Sequence, residues 1–362
     1  MLFTSDYEIH GSGMGSPKEL IVDPTTRMLD QLDAHGGKLT IMADTGEILR
    51  YREWAERTGD DRFYWGAIER QMQRAVRTGH DVQLHVHSSY FNATWDESAQ
   101  AWKQDYAEYD LASLPYDRLR AMIRAGKELL ETTCRAAKPD YRCFAFRAAN
   151  WSMHPSRTIV RALVDEGFRI DTSVWKYGRY DDLVKFDYRG AHSDLVPWPV
   201  DEEDVCRRDP SGRLFEFPIY TEEQPIWVFL TPNRVYRVIA QRLNPLPAPE
   251  EPPVSTERPR RSVLDKVLSK AQRLALPQPW KVDFNQCTGR QLIAALERVE
   301  ARYGHPDVPL PFVLIGHSKT FTRHNERSLA PFLEYVAARP DRFSFGTFAD
   351  FDPERYRALA VA

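Results

Sequence analysis

The sequence predicts an α/β protein whose parallel strands close, or nearly close, into a barrel. Two observations predict it. Short apolar runs alternate with longer segments of helical period, in about seven strand–helix steps. The ionisable residues of those runs fall at their C-terminal ends, where a barrel of parallel strands carries its chemistry.

Residues 2–9 read as the first strand, followed by a Gly/Ser/Pro loop from Gly11 to Pro17. Residues 25–35 read as a helix that stops at Gly36-Gly37, and residues 38–43 as a second buried strand. A helix over 64–78 stops at Gly79, and 81–87 is the third strand. A helix over 114–137 carries Leu119, Met122, Ile123, Leu129 and Leu130 at helical spacing. Strand 143–146, helix 155–166 with its stop at Gly167, and strand 168–171 follow. Residues 215–219 and 312–315 read as further strands, and 343–347 as the last. One domain over 1–362 is expected, with an insertion at roughly 200–285. Within it, Pro245, Pro247, Pro249, Pro252, Pro253 and Pro259 exclude a strand or long helix, and residues 262–274 are amphipathic. Long irregular segments are usually functional or disordered, so residues 244–276 are expected to border a cleft.

With 42% hydrophobic and 28% charged residues, the 362-residue chain has a globular composition. A formal net charge of −3 gives no nucleic-acid footprint, and Arg258, Arg260 and Arg261 read as a solvated loop. No apolar window is long enough to span a bilayer. The opening residues show no charged leader before an apolar run, which favours the cytoplasm. Cys134, Cys143, Cys206 and Cys287 form no Cys-x-x-Cys pair and read as buried thiols. Most of the nine Trp and sixteen Tyr rings are expected in the core, although a flat ring also packs on the face of a sugar.

Five strand ends carry the candidate chemistry: Asp6 and Glu8, His85 and His87, Arg147, Asp171, and His317. Side chains alternate along a strand, so His85 and His87 share a face, a spacing that suits zinc, iron or nickel. His10 lies on the face of Asp6 and Glu8. Taken singly, His317 reads as a core histidine and Arg147 as an ion-pair partner; their convergence points to a site.

In order, these segments resemble the five motifs of the polysaccharide deacetylases, the NodB-homology family. The first, usually Thr-Phe-Asp-Asp-Gly, is Thr4-Ser5-Asp6-Tyr7-Glu8 here. The second, His-Ser/Thr-x-x-His/Ser, is His85-Val86-His87-Ser88-Ser89, with His87 additional. The third centres on Arg147 in Phe146-Arg147-Ala148-Ala149-Asn150-Trp151, without the usual prolines. The fourth, Asp-x-x-x-Trp, is Asp171 to Trp175, and the fifth, Leu-x-x-His, is Leu314 to His317. The resemblance implies a distorted (β/α)7-type barrel, one divalent metal such as zinc, and hydrolysis of acetyl groups on a sugar or glycan. It implies Asp6 as base, His317 as acid, Arg147 beside the base, and Asp171 beside the acid. Glu8, His85 and His87 would hold the metal, with Asp6, His10 and Ser89 as further candidates. Trp151, Trp175 and Asn150 would contact substrate. Another C–N hydrolase on the same barrel, or a carbohydrate-binding relative without activity, are the alternatives.

Overall fold

A computed structural model describes residues 1–9, 11, 13–243, 276–304 and 306–359. The cleft-bordering segment expected at 244–276 lies outside the described residues except for Leu276, and so does His10.

Among the described residues, seven parallel strands build the barrel. They are β1 (Leu2–Tyr7), β2 (Leu39–Asp44), β3 (Asp81–Val86), β4 (Ala145–Ala148), β5 (Ile170–Asp171), β6 (Phe215–Glu216) and β7 (Val313–His317). Their order is β6-β5-β4-β3-β2-β1-β7, with Trp198–Pro199 antiparallel outside β6. Past β6, Ile219 bridges Val313 of β7, and Asp283 bridges Ile315, both in parallel. These bridges curl the sheet towards closure, giving the distorted barrel that the alternation predicts.

The connecting helices are α1 (Asp23–Asp33), α2 (Thr45–Thr58), α3 (Trp65–Arg77), α4 (Tyr116–Arg135), α5 (Ser156–Asp165), α6 (Pro232–Leu243), α7 (Gly289–Tyr303) and α8 (Arg323–Ala337). Capping boxes start α7, from Thr288 and Gln291, and α8, from Thr322 and Asn325. Helices α6, α7 and α8 were not expected, and neither was α2. Its buried side carries Glu47 beside Ile48 and Tyr51, which blurs the apolar stripe that announces a helix. Residues 343–347 do not form the expected strand; their backbone meets the chain just before β1 at Met1, whose N donates to Ser344 O at 2.6 Å and whose O accepts from Gly346 N at 3.1 Å.

Alternation sorts the strand residues onto two faces. Leu2, Met42, Ala145, Ile170, Phe215 and Val313 form one cluster with Phe348 and Tyr356, which fills the barrel interior. Phe3, Tyr7, Ile41, Leu84, Phe146 and Leu314 face the helices in a second cluster. Along β1 the interior face therefore reads Leu2, Thr4, Asp6 and then Glu8, apolar at one end and charged at the other.

All four cysteines are buried. Burial pushes the Cys134 thiol up to about 12 and raises those of Cys143, Cys206 and Cys287 as well. The native protein is therefore expected to resist iodoacetamide at neutral pH and to take four labels when unfolded. Labelling of the native chain at any of the four would contradict this placement.

Candidate metal and acid–base site

Register brings the strand ends together. Asp6 pairs with His317, Asp44 with His85, and His85 with Arg147. The Asp44 carboxylate accepts the Gly46 N–H at the start of α2 and the His87 N–H, each at 3.1 Å, which ties the second histidine to β2. A Cβ on Gly46 would stand 2.6 Å from His87 O, so this approach requires glycine. Gly316, before His317, is fixed in the same way by the Phe284 ring and the Asn285 side chain.

Glu8, His85 and His87 are buried and converge. Glu8 Oε2 lies 3.0 Å from His85 Nε2 and 2.7 Å from His87 Nε2, while Glu8 Oε1 accepts from Lys319 Nζ at 2.8 Å. All three offer ligand atoms within 4.8 Å of one another. The tautomer of His85 tests whether a cation fits. Its Nδ1 is 2.9 Å from Arg147 O, which can only accept, so Nδ1 carries hydrogen. Nε2 of the neutral ring then turns a lone pair towards a carboxylate oxygen. A second proton or a metal ion must lie between them. In its absence the proton wins: burial opposes it, but Glu8, Asp6 and Asp44 raise His85 to about 9. The other two respond differently. Burial lowers His87 against the pull of Glu8. Burial would raise Glu8, but Lys319, His87 and His85 hold it well below the usual carboxylate range. A backbone carbonyl orienting the far nitrogen is the usual support of a metal-binding histidine. The residues thus fit a divalent ion.

Asp6 stands next to this group. Arg147, 0% exposed, donates to Asp6 Oδ1 at 2.7 Å, to Thr4 Oγ1 at 2.8 Å and to Thr172 O at 3.0 Å. His317 Nε2 is 3.5 Å from Asp6 Oδ2. Burial pushes Asp6 up, but Arg147, His85 and His317 outweigh it and its carboxyl falls below the ordinary value. Ser89 turns elsewhere, donating to Gln104 at 2.8 Å.

Asp171 requires a correction. Ile170 and Phe215 belong to the interior cluster, so the next residues, Asp171 and Glu216, turn to the opposite face of the sheet. There Asp171 accepts from Ser173 Oγ at 2.6 Å and neighbours Glu216, with burial raising both carboxyls. His317 has Asp6 Oδ2 at 3.5 Å, and Asp6, Glu8 and Asp283 pull its pKa up. Burial outweighs them, and His317 is lowered.

Trp151, Trp175 and Asn150 stand at the rim. Asn150 (φ 51°) and Trp151 (φ 54°) both have left-handed backbone, a strain of about 1–3 kcal/mol each. The Trp151 ring lies 6.2 Å from Trp175 and 6.3 Å from His317, edge to face. Lys281 lies over both indoles, its Nζ 3.6 Å from the Trp151 centroid and 4.2 Å from that of Trp175. Sequence reasoning missed Asp44, Glu216, Lys281 and Lys319. Asp44 ends a strand and Lys319 is two residues from His317, so both were findable; Lys281 carried no such signal.

A second group, His154, Asp204 and Cys206, also has the residue types for a metal. Here the Asp187 N–H points at His154 Nδ1 at 3.4 Å, so Nε2 of the neutral ring carries the hydrogen shared with Asp204 at 3.2 Å. It offers a donor where a ligand needs a lone pair.

No family model matches the chain, and no curated protein does. Solved structures resemble it at low identity. One, described as a "putative polysaccharide deacetylase from Mycobacterium smegmatis", is 16% identical, covers 92% of this chain and 77% of its own, and has a TM-score of 0.46. Puue allantoinase is 13% identical over 98% and 89%, TM-score 0.47. A branching enzyme from Pyrococcus horikoshii is 12% identical over 97% and 69%, TM-score 0.49. At such identities and scores none of these likenesses carries an activity over to this chain. Among the described residues, no helix is long and apolar enough to cross a membrane.

Proposed function

We propose that the chain is a metal-dependent hydrolase that removes an acetyl or other acyl group from a sugar or glycan, as one catalytic unit over residues 1–362. The motif order supports reading it as a divergent polysaccharide deacetylase. The observation that carries the proposal is the convergence of His85 Nε2 and His87 Nε2 on Glu8 Oε2, with His85 Nδ1 held by Arg147 O and Asp6 alongside. A divalent ion held by Glu8, His85 and His87, zinc by the chemistry of those donors, would polarise an acyl carbonyl and acidify water.

The protein's own groups do the proton work. Asp6, kept ionised by Arg147, takes a proton from the attacking water. His317, with 21% of its side chain exposed against 4% for Asp6, meets the leaving group and protonates it. Trp151, Trp175 and Asn150 contact the substrate at the rim. Acetate release from a panel of acetylated sugars, with metal analysis of the same protein, tests the reading. Metal-loaded protein that releases acetate from none of them would refute it, and a cyclic amide in the panel tests the other C–N hydrolase.

The pH profile is expected to be a bell displaced towards acid. Asp6, held below the ordinary carboxylate value, sets the rising limb; His317, lowered from 6.5, sets the falling limb. His317→Ala should lower turnover by about a hundred-fold and remove the falling limb. Metal content should stay unchanged. Loss of the metal, or a falling limb that persists in the residual activity, would overturn the role of His317.

A further inference from the structure

We propose that Lys281 is a substrate-contacting residue that selects acetylated substrates bearing an anionic group, carboxylate or phosphate, near the bond that breaks. The inference deepens the hydrolase reading and rests on it.

Backbone pairing fixes Lys281 at the rim. The strand Gln278–Lys281 runs antiparallel to Thr221–Gln224, and two residues on Asp283 bridges β7. The ammonium of this half-buried residue thereby stands over a face of Trp151 and a face of Trp175, two rings that meet edge to face. The faces that the ammonium covers are closed to a stacking sugar ring.

Lys281 differs from the other two cations near the site. Lys319 Nζ has Glu8 Oε1 at 2.8 Å and Ile9 O at 3.0 Å. Arg147 has Asp6, Thr4 and Thr172. Among the described residues, no hydrogen-bond acceptor is found for Lys281 Nζ. Its nearest carboxylate along the chain, Asp283, is taken up by Asn285 N and the Gln286 side chain. Indole faces replace only part of the hydration an ammonium gives up. Burial lowers Lys281 to about 8 against the pull of Asp283 and Asp6, so it stays largely charged at neutral pH. An ammonium with no oxygen partner among the described residues, beside the acid–base pair, is complementary to an incoming oxyanion.

Indole fluorescence of the full chain tests this at fixed ionic strength, without requiring turnover. Sodium acetate, inorganic phosphate and glucose are titrated into the native protein, Lys281→Gln and Lys281→Arg. A saturable response to at least one anion is expected in the native protein and in Lys281→Arg. It should be absent in Lys281→Gln, and glucose should be without effect. Acetate and phosphate as separate arms distinguish the two oxyanions. With acetylated sugars, Lys281→Gln should raise KM for an anionic substrate about ten-fold more than for its neutral counterpart, the scale of one charged hydrogen bond. An anion response as strong in Lys281→Gln as in the native protein, or none in either, overturns the proposal. No turnover of any sugar with the anion response intact refutes the hydrolase reading and leaves the anion contact standing.

Discussion

Replacing both His85 and His87 with Ala is expected to reduce the bound divalent ion from one per chain to none and to abolish hydrolysis. The two rings supply both nitrogen donors of the group, and Glu8 alone offers a single carboxylate to a cation. The fold should survive in part. Glu8 keeps its 2.8 Å ion pair with Lys319, so its buried charge is not left alone. Metal content by mass spectrometry and secondary structure by circular dichroism separate loss of the ion from loss of the fold. A folded double variant that keeps the ion would refute the assignment. Cys206→Ser then decides where the ion sits: if it is lost there, the His154 group holds it, against the tautomer argument.

The barrel was legible because its strands are short apolar runs between helices with clear stops, and because their charges sit at one end. Asp6, Glu8, His85, His87, Arg147 and His317 all come together from that rule. Asp171 shows where it stops working. β5 has only two residues, Ile170 and Asp171, and a strand so short does not reveal which of its two faces is interior. Phe215 and Ile170 settle it only once they are seen packed together, and the carboxylate then lies on the far side. Lys281 is a different case. Its place depends on the pairing of Gln278–Lys281 with Thr221–Gln224, two segments more than fifty residues apart without apolar alternation. Nothing local in the sequence fixes such a pairing. Helix α2 was hidden by its buried Glu47, and the backbone of residues 343–347 bonds to the barrel through Met1, too briefly to make a strand.

Arg147→Met is expected to be the most destabilising single substitution at the site, by about 3–5 kcal/mol at neutral pH, because it leaves a buried carboxylate without its partner. The native side chain is wholly buried and binds Asp6, Thr4 and Thr172. The sign of the pH dependence distinguishes lost charge pairing from lost packing. In the native protein the Asp6 pKa is lowered, so its contribution is present above the unfolded value and disappears as pH falls through the folded value. Without Arg147, burial dominates and the Asp6 pKa should rise. The ionised carboxyl then costs stability at pH 7, and that cost shrinks as acidification protonates it. Denaturant unfolding of both proteins at pH 7 and near pH 5 should therefore give a smaller difference at the lower pH. An equal difference at both would mean that Arg147 acts through packing and neutral hydrogen bonds, and that Asp6 does not depend on it for its charge. Arg147→Lys should recover part of the stability but not the geometry, since an ammonium supplies charge without the planar fork that reaches Asp6, Thr4 and Thr172 together.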